Sequence, residues 1–104
     1  MPIPAPEAKK LIRRLLKEGT FVVCQHGRDE MNKDGLNDVD ALNVLRAGTV
    51  QEAEWENGGW RHQVCTQRMT FVVAFDPDPA SKVADDVNCD ETELIVVTAW
   101  RAKR

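Results

Sequence analysis

The chain has 104 residues, of which 42% are hydrophobic and 30% charged, the proportions of one soluble globular domain. No apolar run approaches the roughly 20 residues needed to cross a bilayer, and the first residues lack the basic start and apolar stretch of a secretory signal. Composition therefore excludes a membrane span, a collagen-like fibre and general disorder. We predict a single domain over residues 1–104, with a flexible N-terminus at residues 1–7.

Charge is unevenly distributed along the chain. Fourteen Lys and Arg against 17 Asp and Glu give a net charge of -3. Residues 76–93 hold seven acids and one base, a net of -6, so the other residues together carry +3. The net charge argues against non-specific attraction to polyanions but leaves room for a local basic site. We predict that residues 76–93 form an exposed acidic loop.

The three cysteines are odd in number and form no CxxC pair, which is typical of free thiols in a reducing cytoplasm. We considered zinc, because Cys24 and His26 are near in sequence, as are His62 and Cys65. Positions 62 and 65 point to opposite faces of a strand, so one shared ion is disfavoured. The acidic residues 86–90 lack the glycine and the closing glutamate of a calcium loop. We therefore predict neither a metal nor another cofactor.

The first part of the chain predicts an amphipathic helix that ends at Gly19. Its apolar positions are Ala8, Leu11, Ile12, Leu15 and Leu16. Its basic positions are Lys9, Lys10, Arg13, Arg14 and Lys17. We expect the basic side to be solvated, and contact with RNA or a membrane surface is the alternative. The β-formers of residues 20–25 predict a strand, and a short helix is expected at residues 26–33.

A third helix is predicted between Asn37 and Gly48, with Asn37 as N-cap and Asp40 completing a variant of the capping box. Its apolar stripe is expected to be Val39, Leu42 and Leu45. Residues 49–56 then read as a polar edge strand, and residues 57–59 (NGG) as a hairpin turn. Strands follow at residues 60–68, 69–75 and 94–100, and the last two are apolar enough to be buried on both faces. The first and last strands are expected to lie near each other.

This order predicts an α+β domain in which N-terminal helices pack on a mostly antiparallel sheet of four to five strands. Alternation along residues 60–68 puts five side chains on one face. They are Trp60, His62, Val64, Thr66 and Arg68. Arginine offers a fork of donors to phosphate oxygens and histidine titrates near neutrality, so this face fits phosphate chemistry. The alternative is a solvated face with cross-strand ion pairs to Glu52, Glu54 or Glu56.

Two further positions are candidates for a site. His26 lies at the end of the first strand, next to Arg28, where site residues are common; a histidine that caps a helix or bonds to backbone is the alternative. Trp100 stands beside Arg101 and the basic tail, and an aromatic face among cations can stack a base. The alternative there is a core tryptophan that closes the sheet.

Several segments taken together resemble the family catalogued as domain of unknown function 4258. They are HGRDEM at 26–31, DGL at 34–36, GWR at 59–61, TQR at 66–68, VVAF at 72–75 and VVTAWR at 96–101. The resemblance covers residues 8–101. It departs from the family at Gly27, where alanine is expected, and at His62, where an aromatic residue such as tyrosine is expected.

That family is similar to RelE-like and motility quorum-sensing regulator toxins, which are small α+β proteins that cleave mRNA without a metal and are silenced by an antitoxin. The resemblance implies a cytoplasmic type II toxin that acts on mRNA and has a zinc-finger or helix-turn-helix antitoxin as its partner. No contact with a membrane is expected, and the protein could form a homodimer. The resemblance implies catalytic roles for His26 and Arg68. His62 departs from the family, and it either adds a second catalytic histidine or merely replaces the packing of the expected aromatic residue. The implied substrate-binding residues are Arg28, Arg61, Thr66, Trp100 and Arg101.

The sequence thus predicts an endoribonuclease in which the 2′-hydroxyl of RNA attacks the adjacent phosphate. A histidine would move the proton and Arg68 would stabilise the phosphoryl charge. This hypothesis requires His26 and Arg68 to converge on one phosphodiester. Two alternatives stay open: a non-catalytic binding module of the same fold that engages a protein partner, and a small structural domain in which the histidine and arginine pattern is incidental.

Overall fold

The computed structural model describes residues 3–18, 21–56, 59–76 and 93–102. It confirms an α+β domain with a mostly antiparallel sheet. In the described residues three helices and six strands follow in the order α1 (Ala5–Glu18), β1 (Phe21–Val23), α2 (Gln25–Lys33), α3 (Asp38–Ala47), β2 (Thr49–Val50), β3 (Glu54–Glu56), β4 (Gly59–Cys65), β5 (Met69–Asp76) and β6 (Glu93–Arg101). The interior of the predicted acidic loop and the Asn57-Gly58 turn lie outside the described residues.

The strands form one sheet in the order β1-β6-β5-β4-β2, and β3 also pairs with β4. The first and last strands are neighbours, as the sequence predicts, and they run parallel. The other pairs are antiparallel. The predicted edge strand at residues 49–56 is present but divided. Thr49 pairs with Cys65 and Glu54 pairs with Arg61, so β2 and β3 differ in register by one residue, which is the pattern of a β-bulge.

One face of the sheet packs on the helices and forms the core. Phe71, Val73 and Val96 from the sheet lie in a single cluster with Ile12 and Leu45 from α1 and α3. Burial of these apolar side chains is the main stabilising contribution to the fold. Within the described residues no helix packs on the other face, which we call the second face. It consists of the alternate strand positions Val22, Arg61, Gln63, Cys65, Thr70, Val72, Ala74, Ile95, Thr98 and Trp100.

The ends of α1 and α3 follow from local sequence. α1 begins at Ala5, within the predicted flexible N-terminus, and Pro6 lies in the first turn, where a missing N–H is tolerated. The capping box of α3 is confirmed, because Asn37 Oδ1 accepts from the Asp40 N–H and Asp40 Oδ2 accepts from the Asn37 N–H.

The predicted apolar stripe of α3 is partly wrong. Leu45 is buried as predicted, but Val39 is 64% exposed and Leu42 is only partly buried, and the helix buries Ala41 and Val44 beside Leu45. The buried residues share one face of the helix. The end of the helix approaches β4 closely, since a Cβ atom at Gly48 would lie 2.9 Å from Val64 Cγ1. The buried face is therefore set by contact with the sheet rather than by the most apolar positions.

α2 runs beside β6 beyond the point where β1 ends. Its N-cap is Cys24, whose Sγ accepts from the Gly27 N–H at 3.3 Å and lies 3.5 Å from the Val97 carbonyl oxygen. The Cys24 N–H donates to the Val96 carbonyl at 3.1 Å. A Cβ atom at Gly27 would lie 2.6 Å from that carbonyl oxygen, so only glycine fits this approach without a shift. The start of α2 is thereby fixed to the middle of β6.

Candidate functional site

His26 lies on the first turn of α2 and is exposed. No hydrogen bond or ion pair of its side chain occurs within the part of the chain that the structure describes. Its backbone position follows from the Cys24 cap and from the close approach of Gly27 to Val96 and Val97. The imidazole is thus accessible to solvent, at the level of the middle of β6.

His62 faces the core. The alternation predicted for β4 is correct, since Trp60, His62 and Val64 share a side, but that side is the one under the helices. The imidazole is only 2% exposed. Nδ1 donates to the Gln51 carbonyl oxygen at 2.9 Å, and the ring contacts Phe75 with centroids 5.9 Å apart. His62 therefore bonds to the segment that joins β2 to β3, and its buried ring cannot reach a substrate at the surface.

Thr66 and Arg68 lie in a turn rather than on a strand. β4 ends at Cys65, three residues before the predicted end at position 68. The Thr66 hydroxyl oxygen accepts from the N–H groups of Arg68 and Met69 at 3.2 and 3.1 Å. These bonds close the turn, as hydroxyl side chains often do. Arg68 thus does not share a strand face with Trp60 and His62, which corrects the predicted five-residue face.

The structure separates His26 from Arg68. Gly27 lies against the backbone of Val96 and Val97, whereas the Arg68 carbonyl accepts from the Ala102 N–H at 2.7 Å. The five residue-to-residue steps from position 97 to position 102 span about 16 Å in extended conformation. The backbones of His26 and Arg68 are thus held at opposite ends of the second half of β6, and this placement argues against the convergence that the sequence hypothesis requires.

Two of the predicted binding arginines are engaged by the protein itself. Arg28 forms an ion pair with Asp38. The Arg101 guanidinium donates to the carbonyl oxygens of Asp34 and Gly35 at 2.7 and 3.3 Å, and its backbone N–H donates to Asp34 Oδ2 at 2.8 Å. Arg101 thus fastens the connection between α2 and α3 to the end of β6.

We expect Arg101→Ala to lower the free energy of unfolding by about 1 kcal/mol, because it removes charge-assisted hydrogen bonds that are exposed to water. Urea denaturation measures this change. Lys33→Ala, which removes an exposed cation on α2 whose ion pair with Glu30 is at the surface, is the control and should change stability by less than about 0.5 kcal/mol. Equal effects of the two variants would contradict the fastening role of Arg101.

Three predicted residues lie at the same end of the sheet. Thr66 and Arg68 share the turn, and Ala102, which bonds to Arg68, is two residues beyond Trp100. Trp100 is 39% exposed on the second face and pairs with Thr70, which in turn pairs with Cys65. We call Thr66, Arg68 and Trp100 the turn end of the sheet.

Two clefts flank this turn. One, of about 400 Å³, lies between the turn and α3 and is lined by Asn43, Val44, Ala47, Thr66, Gln67, Arg68 and Met69. The other, of about 440 Å³, lies towards β2 and is lined by Ala47, Thr49, Gln51, Cys65, Thr66 and Gln67. Sequence reasoning missed Asn43 and Gln67, whose proximity depends on how α3 and β4 pack. The Arg68 guanidinium and the amides of Asn43 and Gln67 offer donors to phosphate and base edges, whereas the Thr66 hydroxyl donates to the Met69 carbonyl oxygen at 3.4 Å.

Arg61 stands apart from the turn end. It lies on the second face four residues before Cys65, a distance of about 13 Å along the strand. Glu54 is its partner in the β3–β4 register, but no ion pair of Arg61 occurs within the described residues. A strand of nucleic acid several nucleotides long could touch both Arg61 and the turn end, whereas a single phosphate could not.

Among the described residues, no three His, Cys, Asp or Glu side chains are grouped as metal ligands. No helix in the same part of the chain is long and apolar enough to cross a membrane. No family model, curated protein or solved structure matches the chain. The resemblance to domain of unknown function 4258 therefore stays a prediction.

Proposed function

We propose that this protein is the toxin of a type II toxin–antitoxin pair, with a RelE-like fold, and that it cleaves single-stranded mRNA at the turn end without a metal. The observation that carries the proposal is that Arg68 and Thr66 line a cleft beside α3, while Trp100, which lines neither cleft, is exposed at the same end of the sheet on the second face. An exposed indole can stack an unpaired base and a free guanidinium can hold a phosphate. The resemblance supplies the reaction class and the antitoxin partner.

In the proposed reaction the ribose 2′-oxygen bonds to the adjacent phosphorus and the bond to the 5′-oxygen breaks. The products are a 2′,3′-cyclic phosphate and a free 5′-hydroxyl. Arg68 stabilises the negative charge that builds on the phosphoryl oxygens. The 2′-hydroxyl proton leaves to solvent and the leaving oxygen takes one from solvent. His62 is buried and His26 is remote from the turn, so neither histidine has a proton-transfer role in this proposal.

We expect Arg68→Ala to lower the rate of RNA cleavage about 100-fold or more, the cost of removing one preorganised charge-stabilising group. The measurement is cleavage of a labelled single-stranded RNA by purified protein, with growth arrest on expression as a second readout. Lys33→Ala removes one positive charge from a residue that lines neither cleft and should leave the rate within about twofold. Equal cleavage by the wild type and Arg68→Ala would contradict the role of Arg68.

The second candidate is a non-catalytic binding module of the same fold. Its specific support is the separation of both histidines from Arg68 and the engagement of Arg101 by Asp34 and Gly35. In this case the wild type leaves RNA intact and growth unaffected, and Trp100→Ala weakens binding of a purified protein partner. The cleavage assay with the wild type therefore separates the two candidates.

A further inference from the structure

The solvent side of α1 carries a row of cations, Lys10, Arg13, Arg14 and Lys17, which we call the basic stripe. All four are exposed, and their spacing of three and four residues places them on one face. The opposite face, with Ala8, Ile12 and Leu15, is buried against the core. The stripe runs about 10 Å along the helix.

The stripe is a local exception in an acidic protein. Five cations and two acids give α1 a net charge of +3, whereas the whole chain carries -3. The acids flank the stripe at Glu7 and Glu18, and Glu18 forms an exposed ion pair with Arg14. This side of α1 can therefore attract a polyanion although the chain as a whole is acidic.

The N-terminal end of α1 lies near the cleft between the turn and β2. The Ala5 N–H donates to Glu52 Oε1 at 3.4 Å, and the preceding residue, Gln51, lines the cleft between the turn and β2. Lys10 follows Ala5 by five residues, about 8 Å along the helix. A nucleic-acid strand that occupies this cleft can thus continue along α1 and meet cations at intervals of about 5–6 Å.

We propose that the basic stripe binds the phosphate groups of an RNA strand whose neighbouring segment occupies the turn end. This inference rests on the proposed function. A lipid surface is the poorer partner, because the face of α1 that carries the basic stripe has no apolar side chain to enter a bilayer, while Ile12 and Leu15 on the opposite face are buried in the core. Phosphates in series fit a straight row of cations, and such contacts add affinity without reading sequence.

The test is binding of a 2′-O-methylated single-stranded RNA, which cannot be cleaved, measured by fluorescence anisotropy from 50 to 200 mM KCl. We compare the wild type with the triple variant Lys10→Gln/Arg13→Gln/Lys17→Gln, in which glutamine preserves helix propensity. The slope of log K against log salt concentration is negative, and each lost phosphate contact makes it less negative by about 0.7 for single strands. The slope of the triple variant should thus be less negative than that of the wild type by about 2, and its binding at 50 mM KCl should be weaker by roughly tenfold or more.

The control is Lys33→Gln/Arg46→Gln, which removes two exposed cations on α2 and α3 that line neither cleft; its slope should stay near that of the wild type. If the triple variant keeps the wild-type slope while Arg68→Ala weakens binding, the inference fails and the proposed function stands. If the wild type binds no RNA, both fail. Binding of phosphatidylglycerol vesicles but not RNA would also overturn the inference. Circular dichroism confirms that the variants remain helical.

Discussion

Replacing His62 by alanine is expected to lower the free energy of unfolding by about 2–4 kcal/mol. The substitution leaves a cavity beside Phe75 and removes the donor that the Gln51 carbonyl oxygen accepts. A buried large-to-small change and an unsatisfied carbonyl each cost on the order of 1–3 kcal/mol, and partial relaxation keeps their total below the sum. Urea denaturation followed by tryptophan fluorescence or circular dichroism gives the difference.

His26→Ala is the matched control, because it removes the other histidine of the chain from an exposed position. We expect its effect to stay within about 0.5 kcal/mol. His62→Gln retains a donor and should recover part of the lost stability. A His62→Ala variant as stable as the wild type, but inactive on RNA, would show that the imidazole serves chemistry rather than packing, against our interpretation of the site.

The secondary structure could be predicted well where one local signal decides it. Helical spacing in α1 and the Asn37–Asp40 box of α3 depend only on nearby residues, and the structure has both. The apolar run of β5 likewise predicts a buried strand, and Phe71 and Val73 are fully buried. These features needed no knowledge of the tertiary fold.

The candidate site was harder to predict, because it depends on which face of a strand is buried. Alternation correctly groups Trp60, His62 and Val64, but the same pattern fits a solvated or a core face. The end of β4 was missed since the turn residues 66–68 contain no Gly, Pro or Asn, and the Thr66 hydroxyl closes the turn instead. Arg101 bonds to Asp34, which lies 67 residues earlier, and no local pattern indicates that pair.

Replacing Gly27 by alanine is expected to lower the free energy of unfolding by about 1–3 kcal/mol. Alanine gains roughly 1 kcal/mol in helix propensity, so a purely local argument predicts stabilisation. The new Cβ would, however, lie 2.6 Å from the Val96 carbonyl oxygen and 3.1 Å from that of Val97. The first oxygen accepts from the Cys24 N–H and the second lies 3.5 Å from Cys24 Sγ. Neither can move without disturbing the N-cap of α2, so the clash should outweigh the propensity gain.

Gly59→Ala is the control for this prediction, since a Cβ at Gly59 would meet nothing within 4 Å. Its stability should equal or slightly exceed that of the wild type, because alanine restricts the unfolded chain more than glycine does. Urea denaturation of both variants decides the question. A Gly27→Ala variant as stable as Gly59→Ala would mean that α2 can move away from β6 at little cost. That result would also remove the physical reason for glycine at the position where the resemblance leads one to expect alanine.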